Sequence, residues 1–201
     1  MNSKKIAGLR LLTALVAVAS LAALSACGKV EAVTAPDFTP PGTIAVLPVA
    51  NQAVDVDGPP LYRKLLEAKL VEKGYTVIDP AKVDETLKSQ FDIEEGGQLN
   101  AAEPKELAKA LGADALLYCT LTEWEKHSLL YYNDVIVGGK FELLNAEGAE
   151  IWKVEHHQVK QVKIALNLRD AIVNTAANLF TAYEKLANEL MDKVLRTLPN
   201  R

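Results

Sequence analysis

The hydrophobic period of this chain changes once, near Ala113, and that change limits the folds open to it more than any other feature. Ahead of it, short apolar runs alternate with stretches repeating every three or four residues, the mark of strands alternating with helices. Behind it, apolar residues recur at every second position through long runs joined by a turn, the mark of antiparallel hairpins. The combination predicts an α/β fold with α+β character. Its centre is a single mixed β-sheet, βαβαα followed by an antiparallel three-stranded meander and a long C-terminal helix.

In detail, Thr43 to Val49 (TIAVLPV) reads as a buried parallel strand, and Asn51 to Gly58 as a polar loop. Pro59 and Pro60 open a helix that turns Leu61, Leu65, Leu66 and Ala68 inward and stops at Gly74. Tyr75 to Ile78 is a second strand. Asp79-Pro80 supplies an N-cap and a first-turn proline for a helix striped by Val83, Leu87 and Phe91. Asp92 to Asn100, with Gly96-Gly97, is a loop, and Pro104 opens a short helix through Leu107 and Leu111 that Gly112 ends.

Ala113 to Trp124 begins apolar on both faces (Leu116, Leu117, Tyr118, Cys119) and then alternates. From Leu129 to Leu144, Leu129, Tyr131, Val135, Val137, Phe141 and Leu143 share one face. Asn145 to Gly148 is a hairpin turn, Ile151 to Val162 returns, and Gly138-Gly139 marks a bulge or bend. Arg169 to Leu198 is helical, with Ile172, Ala176, Leu179, Tyr183, Leu186, Leu190 and Val194 on one stripe and Phe180, Ala187 and Met191 on a second seam. Such a stripe covers one face of the sheet, or packs in part against a second subunit.

The first 26 residues have their own logic. Lys4, Lys5 and Arg10 precede an almost unbroken run of Leu, Ala and Val from Leu11 to Leu24, too short for a stable span, as in a secretory signal. Leu24-Ser25-Ala26-Cys27 resembles the lipobox of bacterial lipoproteins. That resemblance implies cleavage between Ala26 and Cys27 by signal peptidase II and lipidation of the Cys27 thiol. Two or three acyl chains on one residue make a lasting membrane anchor, where a single chain binds only marginally. Gly28 stands where an inner-membrane retention signal usually carries Asp, which favours the outer membrane, periplasmic face. The expected organisation is therefore a lipoprotein signal peptide over 1–26, a lipidated flexible tether over 27–41, and a single α/β domain over 42–201. A tether from Gly28 to Pro41 reaches at most about 50 Å.

The formal net charge is −4, and removing a segment that holds Lys4, Lys5 and Arg10 makes it more negative. This argues against nucleic acid and against broad adhesion to anionic lipid. Neither a G-x-G-x-x-G nor a Walker loop occurs, so no nucleotide is expected, and there is no G-x-S-x-G elbow. Two cysteines and three histidines leave little for a metal site. His156 and His157, adjacent on a strand, point to opposite faces, and His127 sits among polar residues, so all three read as surface histidines. Cys119 reads as a small core residue. Asp55-Val56-Asp57-Gly58 has the opening of a calcium loop without its later ligands, and reads as a turn feeding a helix. Glu123 and Glu125 share a face as paired carboxylates can, although a solvated strand end explains them equally. No catalytic residue, metal or cofactor is expected.

Three stretches carry a resemblance: Gly42-TIAVLPVANQAVDVDGP-Pro60, Val83-Asp84-Glu85-Thr86, and the run from Leu111 through Gly112-Ala113-Asp114-Ala115-Leu116 to Trp124. Together they resemble a family of bacterial lipoproteins of unknown function, known from a neisserial surface-antigen candidate. The similarity spans roughly Gly42 to Lys160. It implies a TolB-N/CsgG-like domain, related to the N-terminal domain of the translocation protein TolB, to the periplasmic domain of the curli secretion lipoprotein CsgG, and to lipoprotein activators of peptidoglycan synthases. Such domains often self-associate, and the resemblance brings no established catalytic residues.

The resulting expectation is a non-enzymatic outer-membrane lipoprotein, an accessory or assembly component of an envelope or export complex. Its expected partners are the membrane, through the lipid on Cys27, and a second copy or other envelope proteins. The alternatives are a regulator of a cell-wall-synthesising enzyme and a small-ligand carrier. A tether of about 50 Å is short for contact with an inner-membrane enzyme.

Overall fold

In the computed structural model of the chain, which describes residues 30–128, 132–163 and 168–201, seven strands form one mixed sheet. They are β1 (Ala32–Thr34), β2 (Thr43–Val46), β3 (Ala50–Asn51), β4 (Thr76–Val77), β5 (Ala115–Ser128), β6 (Tyr132–Asn145) and β7 (Glu150–Lys163). The order across the sheet is β1-β7-β6-β5-β2-β4, with β3 extending the β2 side along β5. β2 runs parallel to β4 and β5, while β5, β6 and β7 form the antiparallel meander. Among the described residues no helix is long and apolar enough to cross a membrane.

Among the described residues four α-helices cover the sheet: α1 (Gly58–Glu72), α2 (Pro80–Phe91), α3 (Pro104–Leu111) and α4 (Leu168–Leu195). On one face, α1 and α4 bury Ile44, Leu117, Phe141, Trp152 and Val154 beneath Tyr62, Leu66, Leu190 and Met191. On the other, α2 and α3 pack Val83, Leu87 and Leu107 on Ala45, Leu47 and Leu116. The period-two face of β6 is confirmed for Val135, Val137, Phe141 and Leu143, all fully buried. Leu129 and Tyr131 of that expected face, and the side chains of Ile172, Ala176 and Leu179, lie outside what is described.

Several details differ from the sequence reading, each for a physical reason. On α1 the inward stripe is Tyr62, Leu66 and Leu70, and Ala68 is exposed. Leu61 and Leu65 only flank that stripe. A tyrosine can lie at its centre because its hydroxyl donates to the Gly138 carbonyl at 3.1 Å. Gly96–Ala101, read as loop, forms a 3-10 helix. Phe180 keeps the spacing of the second seam yet is 52% exposed, while Ala187 and Met191 are buried. Spacing marks a side of a helix, and burial also needs something to lie on that side.

The bulge belongs to β5: the register slips between Leu121 and Glu123, opposite Gly138 and Gly139 of β6. A Cβ on Gly138 would meet Thr122 Oγ1 at 2.8 Å and Glu123 Oε2 at 2.9 Å, so the missing side chains make room for the extra residue. β1 lies inside the stretch read as tether, paired antiparallel with β7 through Ala32 opposite Val154 and Thr34 opposite Trp152. Three residues are too few to announce a strand by periodicity.

Candidate functional site

The C-terminal ends of parallel strands are where open α/β sheets form crevices. Here β2 ends at Val46, and the chain passes through Pro48 and Val49 to β3 before turning into the N-terminus of α1. An open cleft of about 640 Å³ lies there, walled by Pro48, Val49, Pro59, Pro60, Arg63 and Glu67 and closed on one side by Gly96 and Gly97. The prolines hold its rim stiff. A Cβ on Gly96 would stand 2.3 Å from Ala50 N and from the Val49 carbonyl carbon, so the 3-10 helix rests backbone against backbone on the β2–β3 link. Gln98 secures that turn by accepting from the Glu94 and Glu95 amides at 2.9 Å each.

Arg63 forms the back of the cleft. Its Nε and Nη2 donate to the Val46 carbonyl at 3.2 and 3.0 Å, and its Nη1 reaches both Asp84 oxygens at 2.7 and 2.8 Å. Glu67 Oε1 lies 3.3 Å from Arg63 Nε, within ion-pair range, but that N–H is directed at Val46, and the buried oxygen accepts no hydrogen bond. Burial raises the Glu67 carboxyl above its ordinary value. The attraction of Arg63 opposes the rise, and Asp84 and Asp79 add to it. No Ser, Thr, Cys or His is among the residues lining the cleft. The arrangement can hold a polypeptide segment or a small molecule in a stiff, partly apolar groove with one hydrogen-bond acceptor to spare.

Beside it, the turn over Asp55–Asp57 is built as the sequence suggests. The Asp57 amide donates to Asp55 Oδ1 at 2.8 Å, and Asn51 Nδ2 donates to the Asp55 carbonyl at 2.7 Å. The turn leaves Val54 and Val56 101% and 78% exposed, and Val56 borders the cleft.

The other singled-out residues do not converge on the cleft. Cys119 is buried in β5, and burial pushes its thiol well above the ordinary value. His156 and His157 have ring centroids 6.2 Å apart at the β7 edge, and burial, then Lys193 and His157, lower the His156 pKa. His127 contacts Glu125 at 3.0 Å, and Glu123 faces Gly138. Among the described residues no three His, Cys, Asp or Glu come together as a metal site. Ala26 and Cys27 lie outside the described residues. Arg63 and Glu67, four apart on a helix, had no sequence signal beyond that of an ordinary solvated pair.

The family described as putative lipoprotein GNA1162-like matches residues 34–196 of the chain. A curated lipoprotein of Neisseria meningitidis serogroup B is 33% identical over 143 residues, which are 67% of this chain and 65% of that protein. The chain thus spans slightly less than two thirds of that relative's length. The crystal structure of lipoprotein GNA1162 from Neisseria meningitidis is 30% identical, with a TM-score of 0.55, covering 69% of this chain and 99% of that one. A PelC dodecamer from Paraburkholderia phytofirmans shares the fold, at 17% identity and a TM-score of 0.56, over 86% of this chain and 99% of that one.

Proposed function

The chain belongs to the GNA1162-like lipoprotein family, and from that premise we propose that it is a non-enzymatic accessory lipoprotein of the envelope, working by protein–protein contact. Its signal peptide is residues 1–26, its anchor the lipid on Cys27, its place the periplasmic face of the outer membrane, and its working part the domain that follows. It serves as an assembly component of an envelope or export complex, with further copies of itself among its partners.

The observation that carries this reading is the pair Val54 and Val56, exposed beside a groove whose rim is stiffened by proline. Exposed apolar side chains next to a preformed groove are what a protein contact requires, because rigid walls lower the entropy lost on binding. The charged groups behind them are engaged mainly with one another, so the site offers shape and apolar surface more than reactive chemistry. PelC, of the same fold, is a dodecamer, which supports self-association as part of the role.

A photo-crosslinking residue at position 56 in living cells tests this. A discrete adduct with one envelope protein or with a second copy, absent when the residue is placed at Lys82 on α2, is expected. Absence of any adduct at both 54 and 56 would remove the groove as the contact.

A further inference from the structure

We propose that the β1–β7 edge of the sheet is the side of the domain that lies against the lipid bilayer. The proposal rests on the reading of Cys27 as the lipid anchor and adds to it an orientation.

β1 fixes the chain to the sheet much earlier than a free tether would. Ala32 stands opposite Val154, the fifth residue of β7. Only residues 28–31 separate it from Cys27, so the Cys27 Cα lies within about 18 Å of the Ala32 Cα, whatever path the chain takes. The acyl chains enter the membrane at Cys27, and the bilayer surface must pass that close to Ala32.

The meander rules out one way of meeting that condition. β7 runs on for nine residues beyond Val154, to Lys163, which is about 30 Å of strand. A domain standing on the far end of the meander would hold Ala32 about 30 Å above the bilayer, beyond the reach of Cys27. β1 is antiparallel to β7, so the chain upstream of Ala32 sets out alongside that same far half. A domain lying on its β1–β7 edge satisfies both lengths.

The edge has the character of an interfacial surface. Val33 on β1 and Val159 on β7 are 67% and 54% exposed. Both point to the face away from α4: Val33 pairs with Lys153, and Val159 stands six residues from Lys153 along the strand. Among the described residues β1 pairs with β7 only from Trp152 to Val154, which leaves the outer backbone groups from Glu155 onward without a strand partner. Such an edge invites association with other chains unless it is covered. With the edge tilted so that the face away from α4 turns toward the bilayer, the polar headgroup zone can hydrogen-bond those groups and the two valines can reach the apolar boundary. The cleft beside β2 then lies four strands away, about 19 Å further from the bilayer, open to the periplasm.

The test uses the full chain, lipidated in cells, purified and reconstituted into phosphatidylethanolamine–phosphatidylglycerol vesicles. Nitroxide labels are placed singly at Val33→Cys, Val159→Cys and Lys82→Cys, Cys119 being buried. Accessibility to a water-soluble nickel chelate should fall several-fold at 33 and 159 on reconstitution and stay unchanged at 82. Equal accessibility at all three, in chains whose mass shows the acyl groups and which float with the vesicles, would overturn the orientation and leave the anchor standing. Chains without acyl groups that fail to float would overturn the anchor and the orientation with it. Protection at 33 and 159 in the Cys27→Ser chain without vesicles would assign the edge to a second copy and also overturn the proposal.

Discussion

The guanidinium of Arg63 on α1 holds both carboxylate oxygens of Asp84 on α2, at 2.7 and 2.8 Å, while its other donors close on the carbonyl that ends β2. One side chain thereby sets the spacing of three elements around the cleft. Asp84 is half exposed, so the ion pair alone contributes little. The weight falls on the two partly buried hydrogen bonds to Val46.

Arg63→Lys is accordingly not conservative. A lysine cannot serve the Val46 carbonyl and both Asp84 oxygens at once. We expect a loss of about 1–2 kcal/mol in urea denaturation, with Arg63→Ala at least as damaging. A Lys variant as stable as the native chain would show that the fork is not needed.

Glu67 makes stability depend on pH in a definite direction. Its carboxyl is raised in the fold, so the folded chain binds that proton more tightly than the unfolded chain, and stability falls as pH rises above the ordinary value of 4.5. Glu67→Gln carries no such proton. Its urea midpoint relative to the native chain should therefore improve between pH 4 and pH 7. A constant difference across that range would contradict the assignment.

Glu142 has the opposite sign. Burial would raise its carboxyl, but Lys153 and Lys140, each 3.0 Å away, together outweigh burial and hold it below the ordinary carboxylate range. Its contribution is present above pH 4.5 and lost as pH falls through the lowered value. Glu142→Gln should cost stability at pH 7, and the cost should vanish toward pH 2, read from thermal midpoints.

Gly96 and Gly97 are neighbours with opposite prospects. A side chain on Gly96 would strike the Val49–Ala50 backbone, whereas one on Gly97 meets nothing within 4 Å. Gly96→Ala should cost about 3 kcal/mol and displace the cleft wall, while Gly97→Ala should be neutral or slightly stabilising. Circular dichroism melts of the two variants would separate these outcomes.

Much of the fold was legible because it is written in periodicity. The change of period near Ala113 marked the boundary between the parallel half and the meander, and the face of Val135, Val137, Phe141 and Leu143 emerged as read. The misreadings arose where burial follows from contact rather than spacing. Tyr62 displaced Ala68 from the inward stripe because a carbonyl on β6 satisfies its hydroxyl, and no local pattern shows a partner 76 residues away. Phe180 had the right spacing and is still half exposed. β1 is an edge strand of three residues made by pairing alone. The cleft was the least legible part. Arg63 and Glu67 look like any solvated pair four apart on a helix, and Gly96 looks like any loop glycine, until the β2–β3 link is brought against them.

The role proposed for this chain is that of a lipid-anchored domain working in an assembly. Its most direct test is the mass and composition of the complex extracted from native membranes in mild detergent, beside a Cys27→Ser variant. The expected result is a discrete assembly, of several copies or with a second envelope protein, that is lost or released from the membrane in the variant. A lone monomer in both samples would contradict it.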